Sequence, residues 1–207
     1  MPVFRSGKGL APSWCELEYF EIVRLPVGAT HTFERLGCKE KLIVGEGSCR
    51  IDFAGNTVAR DEGANLDLKN ADGHFEVLDV AFPATLIRMC GRWGEETGGS
   101  GLFTVTAAYA ADGLGDPVDY PKDIAFDSHY HDSDEYWIIY EGQGVAVSEG
   151  KLYEVGPGDC VATRAGDHHD FPRLFEPVKA VYFETTLVGQ KRPGHLWDYR
   201  HGPAQPR

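Results

Sequence analysis

Short apolar runs that alternate with polar residues dominate the chain, and they predict β-strands rather than helices. Residues 15–25, CELEYFEIVRL, alternate in this way until a break at Pro26. Residues 40–53, EKLIVGEGSCRIDF, place a Gly-x-Gly between two apolar runs, which predicts a hairpin. Residues 64–82 repeat apolar positions with a period of two. Because helical spacing is not sustained over the length of a helix, the pattern predicts an all-β protein.

The second half of the chain repeats this arrangement after a break. Residues 91–101, GRWGEETGGSG, are glycine-rich and polar, and we predict that they link two halves. A further break is predicted at residues 113–123, with a strand at residues 102–110 before it. More strands are predicted within residues 135–147, 151–164 and 178–188. The arm before Trp14 and the tail from Lys191 lack periodicity and are predicted to be irregular.

An internal repeat relates the two halves. Two pairs of segments align without gaps: EKLIVGEG (40–47) with EYWIIYEG (135–142), and GANLDLKNADGH (63–74) with GDCVATRAGDHH (158–169). Glu40 therefore falls on Glu135, and His74 falls on His169. Two copies of a strand-rich unit of about 90 to 100 residues predict two similar packed domains or a duplicated β-barrel.

Composition favours a folded protein that binds a small molecule. The 207 residues are 42% hydrophobic and 25% charged, which is typical of a globular protein with a core. The formal net charge of -12 argues against a nucleic acid or an anionic membrane as a partner. Apolar runs fall short of the roughly 20 residues that cross a bilayer, and the N-terminus lacks the apolar core of a secretory signal. The five scattered cysteines include no Cys-x-x-Cys pair, which predicts reduced thiols and a cytoplasmic protein.

The pattern His-x-His-x3-Glu, formed by His129, His131 and Glu135, carries the clearest chemistry. Residues two apart in a strand point to the same side, so the two imidazoles project from one face. The turn-forming residues 132–134 let the chain double back before Glu135 opens the next strand. After another turn, His169 can close the set from an opposing strand. Three imidazoles and one carboxylate predict one divalent transition metal: Fe, Mn, Zn, Ni, Cu or Co.

Three other side chains near the motif carry weaker predictions. Strand alternation points His168 away from the metal, which makes it a supporting neighbour or a surface residue rather than a ligand. Glu135 is also a candidate catalytic base, although coordination of the metal is the favoured role. Tyr140 is a second candidate catalytic residue, because aromatic side chains near the motif can line the cavity.

In these residues the chain resembles the cupin superfamily, whose motifs are G-x5-H-x-H-x3,4-E-x6-G and G-x5-P-x-G-x2-H-x3-N. The matching residues are His129, His131, Glu135, Gly142, Gly158, Gly166 and His169. Asp123, Arg164 and Arg173 stand where the motifs have Gly, Pro and Asn, at turns and edges rather than at ligands. With the repeat, the resemblance implies a bicupin of two tandem jelly-roll β-barrels. Residues 1–100 would form an N-terminal barrel with a degenerate site, and residues 101–207 a C-terminal barrel with the metal site.

The N-terminal copy retains only part of the motif. Gapless alignment puts Glu34 and Leu36 on the two motif histidines, whereas a longer turn puts His31 on the first of them. His31, Glu40 and His74 are therefore a candidate degenerate second site. The alternative is a barrel that is retained for packing and domain pairing alone.

The resemblance implies a metal-dependent enzyme that acts on a small oxygenated organic molecule in the C-terminal barrel. The favoured reaction is oxidative and dioxygenase-like. The alternatives are an isomerase or epimerase, a lyase, or a decarboxylase of a sugar-like or carboxylated metabolite, and a non-catalytic metal-dependent binding protein. The expected partner is a small-molecule substrate, with neither nucleic acid nor membrane. The resemblance also implies a homodimer, for which the arm before Trp14 is a candidate for strand exchange.

Overall fold

The all-β prediction is confirmed over the part of the chain that the computed structural model describes. The described residues are 2–7, 10–37, 39–53, 55–68, 73–106, 116–124 and 126–187. Every helix or strand assigned within them is a strand. Among these residues the structure contains no helix that could span a membrane.

Twelve strands are assigned, and they divide between two compact units. In chain order they are β1 (Val3–Arg5), β2 (Leu17–Leu25), β3 (His31–Glu34), β4 (Lys39–Phe53), β5 (Asn56–Asp61), β6 (Asn65–Asp67), β7 (His74–Gly91), β8 (Ser100–Val105), β9 (Glu135–Ser148), β10 (Lys151–Val155), β11 (Asp159–Thr163) and β12 (Asp170–Glu184). The N-terminal unit takes its described residues from Ser6–Ala11 and Glu16–Trp93. The C-terminal unit takes them from Met1–Arg5, Pro12–Cys15 and Gly94–Arg207.

Each unit contains one antiparallel sheet, and the two sheets share a plan. In the N-terminal unit the strand order is β2-β7-β4-β5, with β3 on β7 and β6 on β4. In the C-terminal unit the order is β1-β11-β9-β12-β8, with β10 on β9. A long pair of strands lies at the centre of each sheet, β4 with β7 and β9 with β12. Two complete tandem barrels remain a prediction beyond these two sheets.

The predicted hairpin at residues 40–53 is wrong, because β4 continues through the Gly-x-Gly without reversing. Gly47 has a φ of 75° and lies at a register shift between β4 and β7, where a Cβ would collide with the carbonyl oxygen of Pro83. Gly142 repeats this geometry in β9, with a φ of 78° and the carbonyl of Pro177 in the same position. The glycines therefore make β-bulges that bend a continuous strand.

The N-terminal arm, which was predicted to be irregular, includes the strand β1. Val3 pairs with Val161 of β11, and Arg5 donates to Asp159 at 3.0 Å. This pairing extends the C-terminal sheet with the first residues of the same chain. Some of the predicted segments lie partly or wholly outside the described residues. These are residues 107–110 of the predicted strand, residues 113–115 of the predicted break, and the tail from Lys191.

The interior of the C-terminal unit is apolar and packs directly beside the histidine motif. Trp137 and Ile139 of β9 share a core with Val161 and Ala180, which lie on the flanking strands. Complete burial of a side chain of this kind stabilises the fold by about 1.5–3 kcal/mol. The motif therefore lies directly beside an apolar core, which Trp137 of β9 connects to the His169 ring.

We predict that Gly142→Ala lowers thermal stability more than Gly150→Ala does. Both glycines have positive φ, 78° and 66°, so both substitutions carry the backbone cost of about 1–3 kcal/mol. Only at Gly142 does the new Cβ also meet a backbone carbonyl, since the space beside Gly150 is open. Calorimetric melting of both variants checks the difference, and equal losses of stability would contradict the bulge.

Candidate metal centre

His129 and His169 face each other across an isolated antiparallel bridge. The His169 N–H donates to the His129 carbonyl at 3.0 Å, and the reverse bond measures 3.3 Å. Directly opposed residues of an antiparallel pair present their side chains on the same face, so the two imidazoles lie side by side. Their ring centroids are 4.3 Å apart. One bridge thus joins the two halves of the motif, which are forty residues apart in the sequence.

The turn between His131 and Glu135 is fixed by backbone contacts with the second motif. The Gly166 N–H donates to the His131 carbonyl at 2.8 Å. The Ala165 N–H donates to Asp134 Oδ1 at 2.8 Å, and Gly166 has a φ of 84°. A residue with a Cβ is strained at that φ, which explains why a glycine stands in the turn. The turn delivers Glu135 to the first position of β9, beside the histidines.

Four donor atoms converge on one buried point. Glu135 Oε2 lies 2.7 Å from His169 Nε2 and 3.0 Å from His131 Nε2. His129 Nε2 lies 3.1 Å from His169 Nε2. All four donors fall within 4.8 Å of one another, and all four residues are buried. The structure therefore brings together the four side chains that the sequence predicts as metal ligands.

Each of the three imidazoles places its Nδ1 atom against a backbone carbonyl. A carbonyl oxygen only accepts, so the ring nitrogen that faces it carries the proton. The Nδ1 atoms face the carbonyls of Asp127 for His129 (2.9 Å), Ser133 for His131 (3.2 Å) and Asp167 for His169 (3.4 Å). In neutral imidazoles this leaves a lone pair on every Nε2, the state in which histidine binds a metal.

The donor set fits a divalent transition metal. With both Nδ1 atoms protonated, the Nε2 lone pairs of His129 and His169 point at a shared space across 3.1 Å. Two lone pairs at that separation repel unless a cation or a proton lies between them. Three imidazole nitrogens and one carboxylate oxygen suit Fe, Mn, Co, Ni, Cu or Zn, and they would leave two positions of a six-coordinate shell open.

The electrostatics of the cluster keep Glu135 ionised. Burial alone would raise the pKa of the Glu135 carboxyl, but His169 and His131 outweigh burial and hold it well below its ordinary value. Burial holds the pKa of His129 well below its ordinary value, with a further contribution from His169. Burial also opposes the charge on His131, yet Glu135 outweighs it and raises the His131 pKa. An ionised carboxylate beside a neutral His129 is the state that a cation requires.

Glu184 is a second buried carboxylate on the same face, and sequence reasoning missed it. Glu184 in β12 stands directly opposite Glu135 of β9 in the strand register, and its charge contributes to the raised pKa of His131. The Gly99 N–H donates to Glu184 Oε2 at 2.9 Å, and a Cβ at Gly98 would collide with the same carboxylate. Because Glu184 belongs to no motif, only the pairing register of two distant strands could have revealed it.

The remaining predicted side chains of the C-terminal unit lie apart from the donors. Tyr140 is five residues after Glu135 in β9, so strand alternation turns it to the opposite face. His168 Nε2 lies 2.6 Å from Asp116 Oδ2, and its ring meets Tyr130 edge to face at 5.2 Å. His168 is thus directed away from the four donors, in agreement with its predicted supporting role.

The structure does not bring His31, Glu40 and His74 together in the N-terminal unit. His31 packs edge to face on Phe33 with ring centroids 4.4 Å apart. His74 is exposed and lies 3.7 Å from Glu76. Glu40 is buried, and its carboxylate is bound by side chains other than these two histidines. Within the described ranges, the only group of three or more His, Cys, Asp or Glu side chains suited to a metal is the C-terminal one.

Arg88 binds Glu40 in the N-terminal unit. Its Nη2 and Nε lie 2.7 and 3.1 Å from Glu40 Oε2, and Nη1 lies 3.0 Å from Glu21. The guanidinium also lies over the rings of Phe33 and Phe75, at 5.4 and 5.5 Å. Glu40 occupies the repeat position of Glu135, so in this unit an organic cation meets the carboxylate where the other unit offers three imidazoles.

The histidine motif lies in a part of the chain that matches a known protein family. Residues 118–183 match the family model described as a cupin domain, which spans both histidine-bearing segments. Over 210 aligned residues the chain is 45% identical to the uncharacterized protein y4oW of Sinorhizobium fredii, covering 100% of this chain and 95% of that protein.

Solved structures share the fold at low sequence identity. AerE from Microcystis aeruginosa aligns with a TM-score of 0.55 and 9% identity, over 80% of this chain and 86% of that chain. A mutant of oxalate decarboxylase OxdC from Bacillus subtilis aligns with a TM-score of 0.51 and 10% identity, over 82% of this chain and 69% of that chain. At such identities the likeness concerns the fold alone.

We predict that His131→Ala abolishes stoichiometric metal binding, while His74→Ala leaves it intact. Loss of a ligand should cost more than the ~10–100-fold that loss of an outer hydrogen-bonding partner costs. His74 is the matched control, because it is the repeat counterpart of His169 and it is exposed. Elemental analysis and metal titration of the purified variants check this. Metal loss in His74→Ala would contradict a single C-terminal site.

We predict that Glu40→Gln destabilises the N-terminal unit by about 3–5 kcal/mol, because it removes the buried charge that Arg88 contacts through Nη2 and Nε and leaves this cation to the partly exposed Glu21. Glu18→Gln is the control, since Glu18 pairs with Arg92 at 3.1 Å on the surface and should change stability by about 0–1 kcal/mol. Denaturant unfolding checks both variants. Equal effects, or loss of metal in Glu40→Gln, would contradict this assignment.

Proposed function

We propose that this chain, whose residues 118–183 match the cupin domain model, is a metal-dependent enzyme of the cupin superfamily that acts on a small oxygenated organic molecule in its C-terminal unit. The convergence of three imidazole Nε2 atoms and one carboxylate oxygen at one buried point supports this proposal. A surface cluster of acidic groups would not place three imidazole Nδ1 atoms against backbone carbonyls. The proposed cofactor is one divalent transition metal, whose identity the donor set leaves open.

We propose that His129, His131, Glu135 and His169 hold the metal. When bound, a divalent metal supplies Lewis acidity toward an oxygen of the substrate and a place for chemistry with O₂. The backbone carbonyls of Asp127, Ser133 and Asp167 orient the imidazoles. Burial of the donors keeps bulk water away from the reacting atoms, which strengthens every electrostatic interaction there.

We propose that the carboxylates of Glu135 and Glu184 have different roles. The Glu135 carboxylate converges with the three imidazole nitrogens within 4.8 Å, and this position suits a ligand better than a proton acceptor. Glu184 faces the same side but is not among the four converging donors. We therefore assign to Glu184 the acceptance of a proton from the substrate.

An oxidative, dioxygenase-like reaction is the function that we propose first. Three imidazoles and one carboxylate would hold a metal with open coordination positions, and such a metal would supply the chemistry for reaction of an oxygenated substrate with O₂. Isomerase, epimerase, lyase and decarboxylase reactions use the same donors without O₂. The oxalate decarboxylase likeness does not favour decarboxylation, since it extends to the fold alone.

A cytoplasmic location and a homodimer are further proposals. The four described cysteines are buried, and they are not joined in disulfides: Cys15, Cys49, Cys90 and Cys160. Burial raises the pKa of Cys15 and of Cys90 to about 12, so these thiols are unreactive packing groups. Reduced, buried thiols of this kind suit a reducing compartment. For the homodimer, β1 is the element that strand exchange would transfer.

Elemental analysis followed by an O₂-uptake screen tests the proposed function. The proposal predicts bound iron and uptake of O₂ with at least one oxygenated small molecule. Glu184→Gln should lower kcat by about 10²–10⁴-fold, the usual worth of general base catalysis, while the metal content stays unchanged. Zinc or manganese with turnover but no uptake would favour an isomerase or lyase. A metal-loaded protein that turns over no candidate would indicate a binding protein.

A further inference from the structure

Lys122 connects the two halves of the histidine motif through groups that are not metal donors. Its Nζ donates to both side-chain oxygens of Asp170, at 2.8 and 2.7 Å, and to the carbonyl of Phe126. Asp170 directly follows His169 in the chain, and Phe126 lies three residues before His129. An ammonium group has three N–H donors, and here three acceptor atoms surround it. One side chain thus joins the neighbours of the two bridged histidines.

The side chain of Asp170 is completely buried and accepts hydrogen bonds from several groups. The Tyr120 O–H donates to Oδ2 at 2.7 Å, and the Phe171 N–H donates to Oδ1 at 2.7 Å. Strand alternation turns this side chain away from the face of His169, and Asp170 is not among the four converging donors. A buried acceptor that is bound from several sides keeps one position. Asp170 is therefore a fixed attachment point for Lys122 at the start of β12.

The segment of residues 116–124, which carries Lys122, contacts the chain on both sides of the histidine bridge. The Asp123 N–H donates to the Pro172 carbonyl at 2.8 Å, and the Asp116 N–H donates to the Ser128 carbonyl at 2.9 Å. Pro172 follows the second bridged histidine by three residues, and Ser128 directly precedes the first. These backbone contacts hold the segment where the lysine can reach both halves of the motif.

Burial distinguishes Lys122 from the other ion pair of this segment. The Lys122 side chain is 18% exposed and that of Asp170 is 0% exposed. Arg173 pairs with Asp123 at 2.7 Å, but these side chains are 45% and 57% exposed. Exposed ion pairs contribute little because water and salt screen them, whereas a shielded one keeps its geometry. Lys122 is therefore the side chain of this segment that fixes the spacing.

We propose that Lys122 is a positioning residue of the metal centre, which sets the spacing of His129 and His169. It acts through the Asp170 side chain and the Phe126 carbonyl. This inference rests on the proposed function and adds to it a residue that belongs to neither histidine segment. One of the two bonds of the backbone bridge measures 3.3 Å, beyond the usual range of about 2.7–3.2 Å. The second connection tightens this bridge and keeps the two Nε2 atoms at their separation of 3.1 Å.

Titration of the full chain with Co²⁺ tests the inference. Lys122→Met removes the ammonium group but keeps a side chain of similar length, and it should lower the affinity for Co²⁺ by about 10–100-fold, as loss of an outer partner of a metal ligand does. Lys179→Met is the matched control. Lys179 pairs with Glu141 at 3.0 Å between β12 and β9 and is 38% exposed, so its loss should change the affinity by less than about twofold. Unchanged affinity in a folded Lys122→Met overturns the inference.

The absorption spectrum of bound Co²⁺ separates positioning from a general loss of stability. The d–d bands depend on the arrangement of the ligands around the ion, so at saturating Co²⁺ they should shift in Lys122→Met and stay unchanged in Lys179→Met. Melting curves of the metal-free variants show whether each is folded. A Lys122→Met protein that is less stable but keeps the wild-type bands overturns the inference, because it shows a structural role alone.

Tyr120→Phe provides a second test if Lys122→Met does not fold. This variant keeps the ring and removes only the hydrogen bond to Asp170. With Asp170 held by one group fewer, the affinity for Co²⁺ should fall by about threefold or more. Unchanged affinity in Tyr120→Phe overturns the inference in that case.

Metal analysis of the wild-type protein separates this inference from the proposed function. A wild-type protein that binds its metal while the Lys122 and Tyr120 variants bind it equally well contradicts the positioning role and leaves the metal-dependent function standing. A wild-type protein that takes up no metal contradicts both.

Discussion

The backbone bridge between His129 and His169 is the interaction on which the site depends. It sets the imidazoles of His129 and His169 side by side. Further backbone contacts next to this bridge bring the other two donors to the same point. His131 lies two residues from His129, and its carbonyl accepts from Gly166 in the turn before His169. Glu135 then begins β9 beside them. A change that separates the two strands would dismantle all four donors together.

The two units share a strand arrangement but differ in what surrounds the buried glutamate at the equivalent position. Both have a glycine bulge opposite a proline carbonyl, at Gly47 and Gly142, and both have a buried glutamate at the start of the central strand pair. In the N-terminal unit Arg88 supplies a permanent positive charge to that glutamate. A guanidinium neutralises the carboxylate but offers no open coordination position, so this unit retains the fold without the means for metal chemistry.

Local spacing was enough to predict three of the four donors, because His129, His131 and Glu135 lie within seven residues of one another, whereas His169 belongs to a second motif that is forty residues from His129. The Gly-x-Gly at residues 45–47 led to the wrong prediction of a hairpin. Glycines of this kind occur both in hairpin turns and in β-bulges, and the two are distinguished only by the strand that pairs with them, which here is β7. Glu184 and Arg88 were missed for another reason. Their roles depend on the register between strands that are distant in sequence, and a single sequence does not encode that register locally.

The proposed function and the positioning role of Lys122 both require a metal held by these four side chains. X-ray absorption at the edge of the bound metal tests this most directly. The account predicts only nitrogen and oxygen neighbours at about 2.0–2.2 Å, with the outer scattering of three imidazoles. A sulfur neighbour, or a wild-type spectrum that lacks imidazole scattering, would contradict the account.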